Sequence, residues 1–150
     1  MLRIAICDDD SKFTRKLETL VLQESQKLGI RADTDVFSDG KTLLKSFQNG
    51  DHYELIFIDI EMEQVDGITA ARRIREIDRT VLLVYVSGYD KYLKELFEVE
   101  PFRFLSKPLN HDFYFSCHIS RPTVDISKFS TFFSFPRHIS RPKVCISHFP

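Results

Sequence analysis

The sequence predicts a doubly wound α/β domain, in which helices cover both faces of a five-stranded parallel sheet. Apolar runs typical of buried strands alternate with amphipathic helical segments from residue 1 to about residue 109. This alternation implies repeated βαβ units, and such units give a parallel sheet. Two of the apolar runs also end in acidic residues, and functional groups of open parallel sheets collect at the carboxyl ends of the strands.

The bounds of each element follow from the periodicity of the apolar residues. Strands are predicted near residues 2–7, 32–37, 54–59, 81–87 and 102–106, and helices near residues 11–28, 39–49, 65–77 and 90–99. We expect Ser11 to cap the first helix and Gly29 to end it. Residues 38–40 (SDG) are expected to open the second helix, and Asp66-Gly67 the third.

Composition narrows the class of protein. A chain of 150 residues holds one ordinary domain, and a net charge of −1 marks no strong nucleic-acid surface. No apolar run approaches the roughly 20 residues of a membrane span, and the first residues resemble a strand rather than a signal peptide, so a cytoplasmic location is expected.

Cys7, Cys117 and Cys145 have no paired spacing, which argues against a disulfide framework or a zinc site. We expect Cys7 to be a small buried hydrophobe.

The first and third predicted strands both end in carboxylates. Asp8, Asp9 and Asp10 follow the first run, and Asp59 ends the run that begins at Leu55. Carboxylates gathered at one edge repel one another, by about 4 kcal/mol for a pair ~4 Å apart at an effective dielectric near 20. A hard divalent cation relieves this repulsion, and Mg²⁺ binds through carboxylates, water and phosphate oxygens. Asp10 is expected to be an exposed residue in the first turn of the helix, favoured by the helix dipole.

The composition changes abruptly after Leu109. Residues 111–150 contain no Leu, Ala, Gly, Glu, Gln or Met, yet hold seven of the 14 Phe. The segment also repeats, with HISRPTVDIS at 118–127 and HISRPKVCIS at 138–147, a period of 20 residues. Two copies are too few for a solenoid, and strong helix formers are scarce. We interpret residues 111–150 as a disordered or non-native tail, and a short β-rich interaction module is the alternative.

Five segments in order resemble the receiver domain of two-component response regulators. They are residues 6–10 (ICDDD), 57–62 (FIDIEM), 65–67 (VDG), 86–88 (VSG) and 105–108 (LSKP). Details of the first segment and of residues 87–108 are most similar to the subgroup that usually carries a LytTR DNA-binding domain. The resemblance implies a flavodoxin-like strand order of 2-1-3-4-5 and a receiver domain over residues 1–110.

The resemblance also implies a metal site. Asp9 would bind Mg²⁺ directly, Asp8 would act through water, and Asp59 and the backbone carbonyl of Glu61 would complete the protein's ligands. The cation would neutralise the phosphoryl oxygens during transfer.

The resemblance further implies that Asp59 is a phosphoacceptor for a sensor histidine kinase. Lys107 and Ser87 would contact the phosphoryl group, and Gly88 would leave room for the incoming imidazole. Ser87 and Phe104 would form the conformational switch, although Phe104 carries no hydroxyl where the family often has Tyr. Such a domain is a signalling phosphoacceptor in transcription regulation, and it catalyses only its own phosphotransfer and dephosphorylation.

Besides Phe104, two features differ from the family pattern. Glu63 stands where the family commonly has Pro. The fifth helix should follow Asn110, but residues 111–122 show no apolar stripe at helical spacing, so we expect that helix to be missing or replaced. Half of the face that often dimerises would then be incomplete, and a homodimer is only one possible state. No LytTR domain is recognisable, so we expect no direct nucleic-acid binding. Because no apolar run is long enough to span a membrane, we expect no membrane binding either.

Two other functions are compatible with these residues. One is a truncated or non-functional receiver fragment that only binds partners. The other is a small Mg²⁺-dependent phosphatase that uses an aspartyl-phosphate. Those enzymes favour Asp two residues after the nucleophile, and here Glu61 stands at that place, which argues against a phosphatase.

Overall fold

The structure is a computed structural model of the chain, and it describes residues 1–88 and 103–108. These residues form five strands and three helices in the predicted alternation. The elements are β1 Leu2–Cys7, α1 Ser11–Lys27, β2 Ala32–Phe37, α2 Gly40–Gln48, β3 Leu55–Asp59, α3 Gly67–Ile77, β4 Leu82–Ser87 and β5 Arg103–Ser106. The helix predicted near residues 90–99, the replaced fifth helix and the tail at 111–150 lie outside the described residues.

The sheet has the order β2-β1-β3-β4-β5, and every neighbouring pair of strands is parallel. This is the flavodoxin-like order that the resemblance implies. The register aligns the carboxyl ends, since Cys7 pairs with Ile58, Asp59 with Val86 and Ser87 with Ser106. Residues that follow β1, β3 and β5 therefore emerge at one edge of the sheet.

The central strands are buried on both faces. Every residue of β3 and β4 is buried, as are the last four residues of β1. Strands covered on both sides have continuous apolar sequences, which explains why these runs do not alternate with polar residues. On one face, α2 and α3 pack against the sheet through Leu43, Phe47, Ile68 and Ile74. Complete burial of each such side chain contributes roughly 1.5–3 kcal/mol.

Cys7 is a buried hydrophobe, as predicted. It is 1% exposed, and its Sγ lies 3.6 Å from the Sδ of Met62, which is also buried. Burial raises the pKa of the Cys7 thiol well above its ordinary value, and the neighbouring carboxylates raise it further. The thiol is therefore kept protonated, so Cys7 fills space beside the acidic cluster and supplies no thiolate.

The prediction that Ser11 caps α1 was wrong, because Asp10 holds that position. Its Oδ1 accepts hydrogen bonds from the backbone N–H groups of Lys12, at 2.9 Å, and Phe13, at 3.2 Å. These two bonds lower the pKa of the Asp10 carboxyl. Asp10 thus lies just before the helix rather than inside its first turn, and Ser11 is the first helical residue. Asp and Ser cap helices about equally well, so neighbouring candidates are hard to separate by type.

The predicted end of α1 and the predicted starts of α2 and α3 are confirmed. Gly29 follows the C-cap residue Leu28 with a φ of 69°, the left-handed conformation that glycine adopts at low cost. Asp39 caps α2 by accepting from the N–H of Thr42, and Asp66 caps α3 by accepting from the N–H of Thr69. Among the described residues, none of the helices combines the length and apolar character needed to cross a membrane.

Candidate functional site

Three carboxylates meet at the carboxyl edge of the sheet. Asp8 and Asp9 follow β1, and Asp59 is the last residue of β3. One carboxylate oxygen from each of them lies within 4.8 Å of the others. Asp8 is 3% exposed and Asp59 is 6% exposed, whereas Asp9 is exposed. The structure thus brings together the acidic residues that the sequence placed in one site, which we call the acidic cluster.

Lys107 reaches into the acidic cluster from the residue after β5. Its Nζ lies 2.6 Å from Oδ2 of Asp8 and 2.7 Å from Oδ2 of Asp59. Its backbone N–H donates to the carbonyl of Ser87, at 2.9 Å, and this bond continues the pairing of β4 with β5. This backbone hydrogen bond to β4 therefore fixes the position of the Lys107 backbone, from which the side chain extends.

Ion pairing and burial shift the pKa values of this cluster in opposite directions. Burial alone would lower the pKa of Lys107, but hydrogen bonds to Asp59 and Asp8 outweigh it, so the pKa is raised. Burial raises the pKa of Asp8, although Lys107 and the N–H of Asp10 offset part of that effect. One ammonium cannot neutralise three carboxylates. An uncompensated negative charge therefore remains at the edge of the sheet.

A divalent cation fits this arrangement. Two buried carboxylates, Asp8 and Asp59, share the single ammonium of Lys107, and Asp9 adds a third carboxylate beside them. Buried carboxylates that are only partly neutralised are costly, and a bound cation compensates the remaining charge. Mg²⁺ prefers oxygen ligands and retains several waters, and the exposure of Asp9 leaves room for them.

Glu61, Ser87 and Gly88 lie at or just after the ends of the strands β3 and β4, at the same edge of the sheet as the cluster. Ser87 ends β4, is 1% exposed and lies opposite Ser106 in the register. A Cβ added at Gly88 would meet nothing within 4 Å in the described part of the chain. The backbone N–H of Glu61 lies 3.4 Å from Oδ1 of Asp59. The backbone of Phe104 pairs with Tyr85 in the sheet, whereas the Phe104 side chain lies outside what the structure describes.

A cavity of about 890 Å³ borders the cluster between the β3–α3 loop and the start of α3. Its lining includes Asp9, Glu61, Met62, Thr69 and Arg72. The cavity gives access to the exposed side of the cluster, where Asp9 lies.

Gly67 also belongs to the site, and the sequence did not reveal why a glycine is needed there. Its N–H donates to the carbonyl of Ile60, at 3.0 Å, and a Cβ at this position would lie only 1.9 Å from the carbonyl oxygen of Asp59. Only glycine lets the start of α3 approach the end of β3 so closely. The Asp-Gly pair in the sequence marked a helix start but did not reveal this contact.

Phe13 is the second residue that was missed. It lies in the first turn of α1, and its ring centroid is 4.5 Å from Nζ of Lys107. An aromatic residue three positions after Asp10 was visible in the sequence. Its contact with a lysine beyond β5 depends on how the two ends of the domain fold together.

Comparison with known families identifies a matching model. Residues 4–114 match the model of the response regulator receiver domain. An uncharacterized response regulatory protein of Vibrio cholerae is 29% identical over 112 residues, which cover 75% of this chain and 41% of that protein. The sensory transduction protein LytT of Bacillus subtilis is 25% identical over 112 residues, which cover 75% of this chain and 44% of LytT. The chain thus spans about two fifths of the length of these relatives.

Solved structures show the same fold. The response regulatory domain of MrkE from Klebsiella pneumoniae is 26% identical, with a TM-score of 0.63, over 73% of this chain and 85% of that one. The response regulator TrrA of Thermotoga maritima, solved in complex with Mg²⁺-BeF, is 27% identical, with a TM-score of 0.59, over 75% of this chain and 91% of that one.

Proposed function

We propose a phosphoacceptor function from the premise that this chain belongs to the response regulator receiver domain family of two-component systems. In this proposal Asp59 accepts a phosphoryl group from a phosphohistidine of a sensor histidine kinase, and the domain then changes conformation. One observation carries the proposal. Asp59 is buried beside Asp8, and the ammonium of Lys107 lies 2.7 Å from it.

The chemical step is a displacement at phosphorus. A carboxylate oxygen of Asp59 forms a bond to the phosphorus while the bond from phosphorus to the imidazole nitrogen of the donor breaks. The electron pair of that bond stays on the imidazole, and the product is an aspartyl-phosphate. Phosphoryl transfer of this kind depends mainly on positioning and on stabilisation of charge, which the residues around Asp59 are arranged to supply.

In this proposal Asp8, Asp9, Asp59 and the backbone carbonyl of Glu61 hold Mg²⁺. The bound cation would supply charge neutralisation for the phosphoryl oxygens. The proximity of the three carboxylates, which share the one ammonium of Lys107, supports this assignment. Asp9 is the direct ligand because it is the exposed member, able to bind a cation that retains water.

Lys107 serves as the positive charge that meets the incoming phosphoryl group. In the unphosphorylated chain its ammonium bridges Asp8 and Asp59. A lysine suits this task because its ammonium is a compact charge on a flexible stem, and a small rotation moves it from carboxylate to phosphoryl oxygen.

Ser87 and Phe104 form the switch in this proposal. Ser87 ends β4, and its backbone carbonyl accepts from the N–H of Lys107. This position supports a role for the Ser87 hydroxyl in donating to a phosphoryl group on Asp59. Movement of Ser87 toward the phosphoryl group would open space near β5, and the Phe104 ring would fill it. No described atom lies within 4 Å of a Cβ added at Gly88, which supports the role of that residue in admitting the donor imidazole.

The kinase is the expected partner, and the cytoplasm is the expected location. The relatives that the chain matches are more than twice as long as the matched region, so control of transcription by the whole protein is part of the proposal. A homodimer, the receiver boundary at residue 110 and the state of the tail stay predictions.

We expect Asp9→Asn to weaken Mg²⁺ binding by about tenfold or more, since affinity for a hard cation depends on the number of charged ligands. Asp10→Asn is the matched control. It removes a neighbouring charge but keeps the helix cap, because Asn caps helices as well as Asp does. Isothermal titration with Mg²⁺ measures both variants. Equal losses of affinity would show that the direct ligand has been assigned to the wrong residue.

A further inference from the structure

We infer that Phe13 is a positioning residue for Lys107. The aromatic face of Phe13 holds the Lys107 ammonium beside Asp59, and this contact affects the rate of phosphoryl transfer. This inference rests on the proposed function of Asp59. It extends that function to α1, an element that supplies no group to the reaction itself.

The ammonium of Lys107 has a neighbour on each of three sides. A lysine ammonium has three N–H donors. Two carboxylate oxygens, one from Asp8 and one from Asp59, lie 2.6 and 2.7 Å from Nζ. The Phe13 ring, with its centroid 4.5 Å from Nζ, covers a further side. The negative face of an aromatic ring attracts a cation within about 6 Å, so this contact is within the attractive range.

The start of α1, which carries the Phe13 ring, is hydrogen-bonded to the acidic cluster. The backbone N–H of Phe13 donates to Oδ1 of Asp10, at 3.2 Å. The N–H of Asp10 in turn donates to Oδ1 of Asp8, at 2.9 Å. The start of α1 is thereby tied to the same carboxylate that Lys107 contacts. The position of the ring relative to Asp8 is set by the helix cap rather than by a flexible loop.

The Lys107 side chain is partly exposed and flexible, so a contact that restrains its ammonium affects where that charge lies. Its side chain is 22% exposed, so water competes for the ammonium. The flexible four-carbon stem of a lysine loses much rotamer freedom when it is held in one place. When Asp59 is phosphorylated, the ammonium must leave a carboxylate oxygen and meet the phosphoryl group. A ring on one side keeps the ammonium at the site during that movement, without forming a directional bond that would resist it.

The test begins with a measurement that requires no phosphorylation. In the protein without Mg²⁺ or a phosphoryl donor, ring currents from Phe13 should shift the proton resonances of the Lys107 side chain next to Nζ upfield. Phe13→Leu, which keeps apolar bulk and removes the ring, should abolish this shift. Phe13→Tyr, which keeps the ring, should retain it. Lys107 resonances at ordinary positions in the unmodified protein would overturn the inference.

The second measurement is the rate of labelling by acetyl phosphate at saturating Mg²⁺. We expect Phe13→Leu to label about fivefold more slowly, the size of one cation–π contact at a partly exposed site, and Phe13→Tyr to restore the rate. Phe37→Leu is the matched control, because Phe37 is also partly buried but packs on Tyr53. It should lower stability and leave the labelling rate unchanged.

These readouts separate the two claims. A Phe13→Leu variant that labels at the unmodified rate would overturn the role of Phe13 and leave the function of Asp59 standing. An unmodified protein that never labels would overturn the function of Asp59 and, with it, the role of Phe13 in transfer. Slower labelling of Phe13→Leu together with the lost upfield shift would support the inference.

Discussion

Replacing Asp59 by Asn is expected to abolish labelling by acetyl phosphate while leaving the fold intact. The amide has the size of the carboxylate but lacks a nucleophilic oxygen. It also removes one of three neighbouring negative charges, so no loss of stability is expected from repulsion within the acidic cluster. Intact-protein mass spectrometry measures the label, and far-ultraviolet circular dichroism checks the fold.

Asp39→Asn is the control for this experiment. Asp39 caps α2 through a hydrogen bond from the N–H of Thr42, and Asn caps equally well. The variant makes the same chemical change outside the acidic cluster, and we expect it to label like the unmodified protein. Persistent labelling of the Asp59→Asn variant would place the phosphoacceptor elsewhere in the chain.

Replacing Gly67 by Ala is expected to have the second-largest effect, on both stability and labelling. The added Cβ would lie 1.9 Å from the carbonyl oxygen of Asp59 and 3.1 Å from Cα of Ile60. Both contacts involve the main chain, so no side chain can rotate away to relieve them. We expect the free energy of unfolding to fall by about 3 kcal/mol, the upper end of the range for overpacking. Labelling should fall as well, because relief of the clash displaces Asp59.

Gly29→Ala separates strain from a clash. Gly29 has a φ of 69°, but a Cβ there meets no described atom within 4 Å. The left-handed conformation should cost about 1 kcal/mol with Ala, and labelling should be unchanged. Urea denaturation and the acetyl phosphate assay compare the two variants. Equal stabilities and equal labelling would mean that Gly67 has no special role in holding Asp59.

The fold could be predicted from the sequence because the strands and helices carry clear periodicity. The continuous apolar runs that become β3 and β4 are typical of strands buried on both faces, and the structure has them so. The meeting of Asp8, Asp9 and Asp59 followed from the same logic, since each comes at the end of a parallel strand. Their roles in phosphotransfer stay proposals.

The helix cap at Asp10 was predicted wrongly for a local reason. Asp10 and Ser11 are adjacent and cap helices with similar strength, and the choice depends on which backbone N–H groups each side chain reaches. The structure shows that Oδ1 of Asp10 reaches those of Lys12 and Phe13.

Gly67 and Phe13 could not be predicted for a different reason. Their importance comes from distances to residues far away in the sequence or across a tight turn. The closeness of Gly67 to the Asp59 carbonyl depends on the angle at which α3 leaves the sheet. The contact of Phe13 with Lys107 depends on the placement of α1 relative to the end of β5. Periodicity fixes which face a residue occupies, but it does not fix such distances.

The central claim is that Asp59 is a phosphoacceptor whose reaction depends on a cation bound by the acidic cluster. The most direct measurement is intact-protein mass spectrometry of the full chain after incubation with acetyl phosphate, with Mg²⁺ and with a chelator in its place. We predict a gain of one phosphoryl group with Mg²⁺, mapped to Asp59 by fragmentation, and no gain with the chelator. No gain under either condition, or an equal gain under both, would contradict the claim.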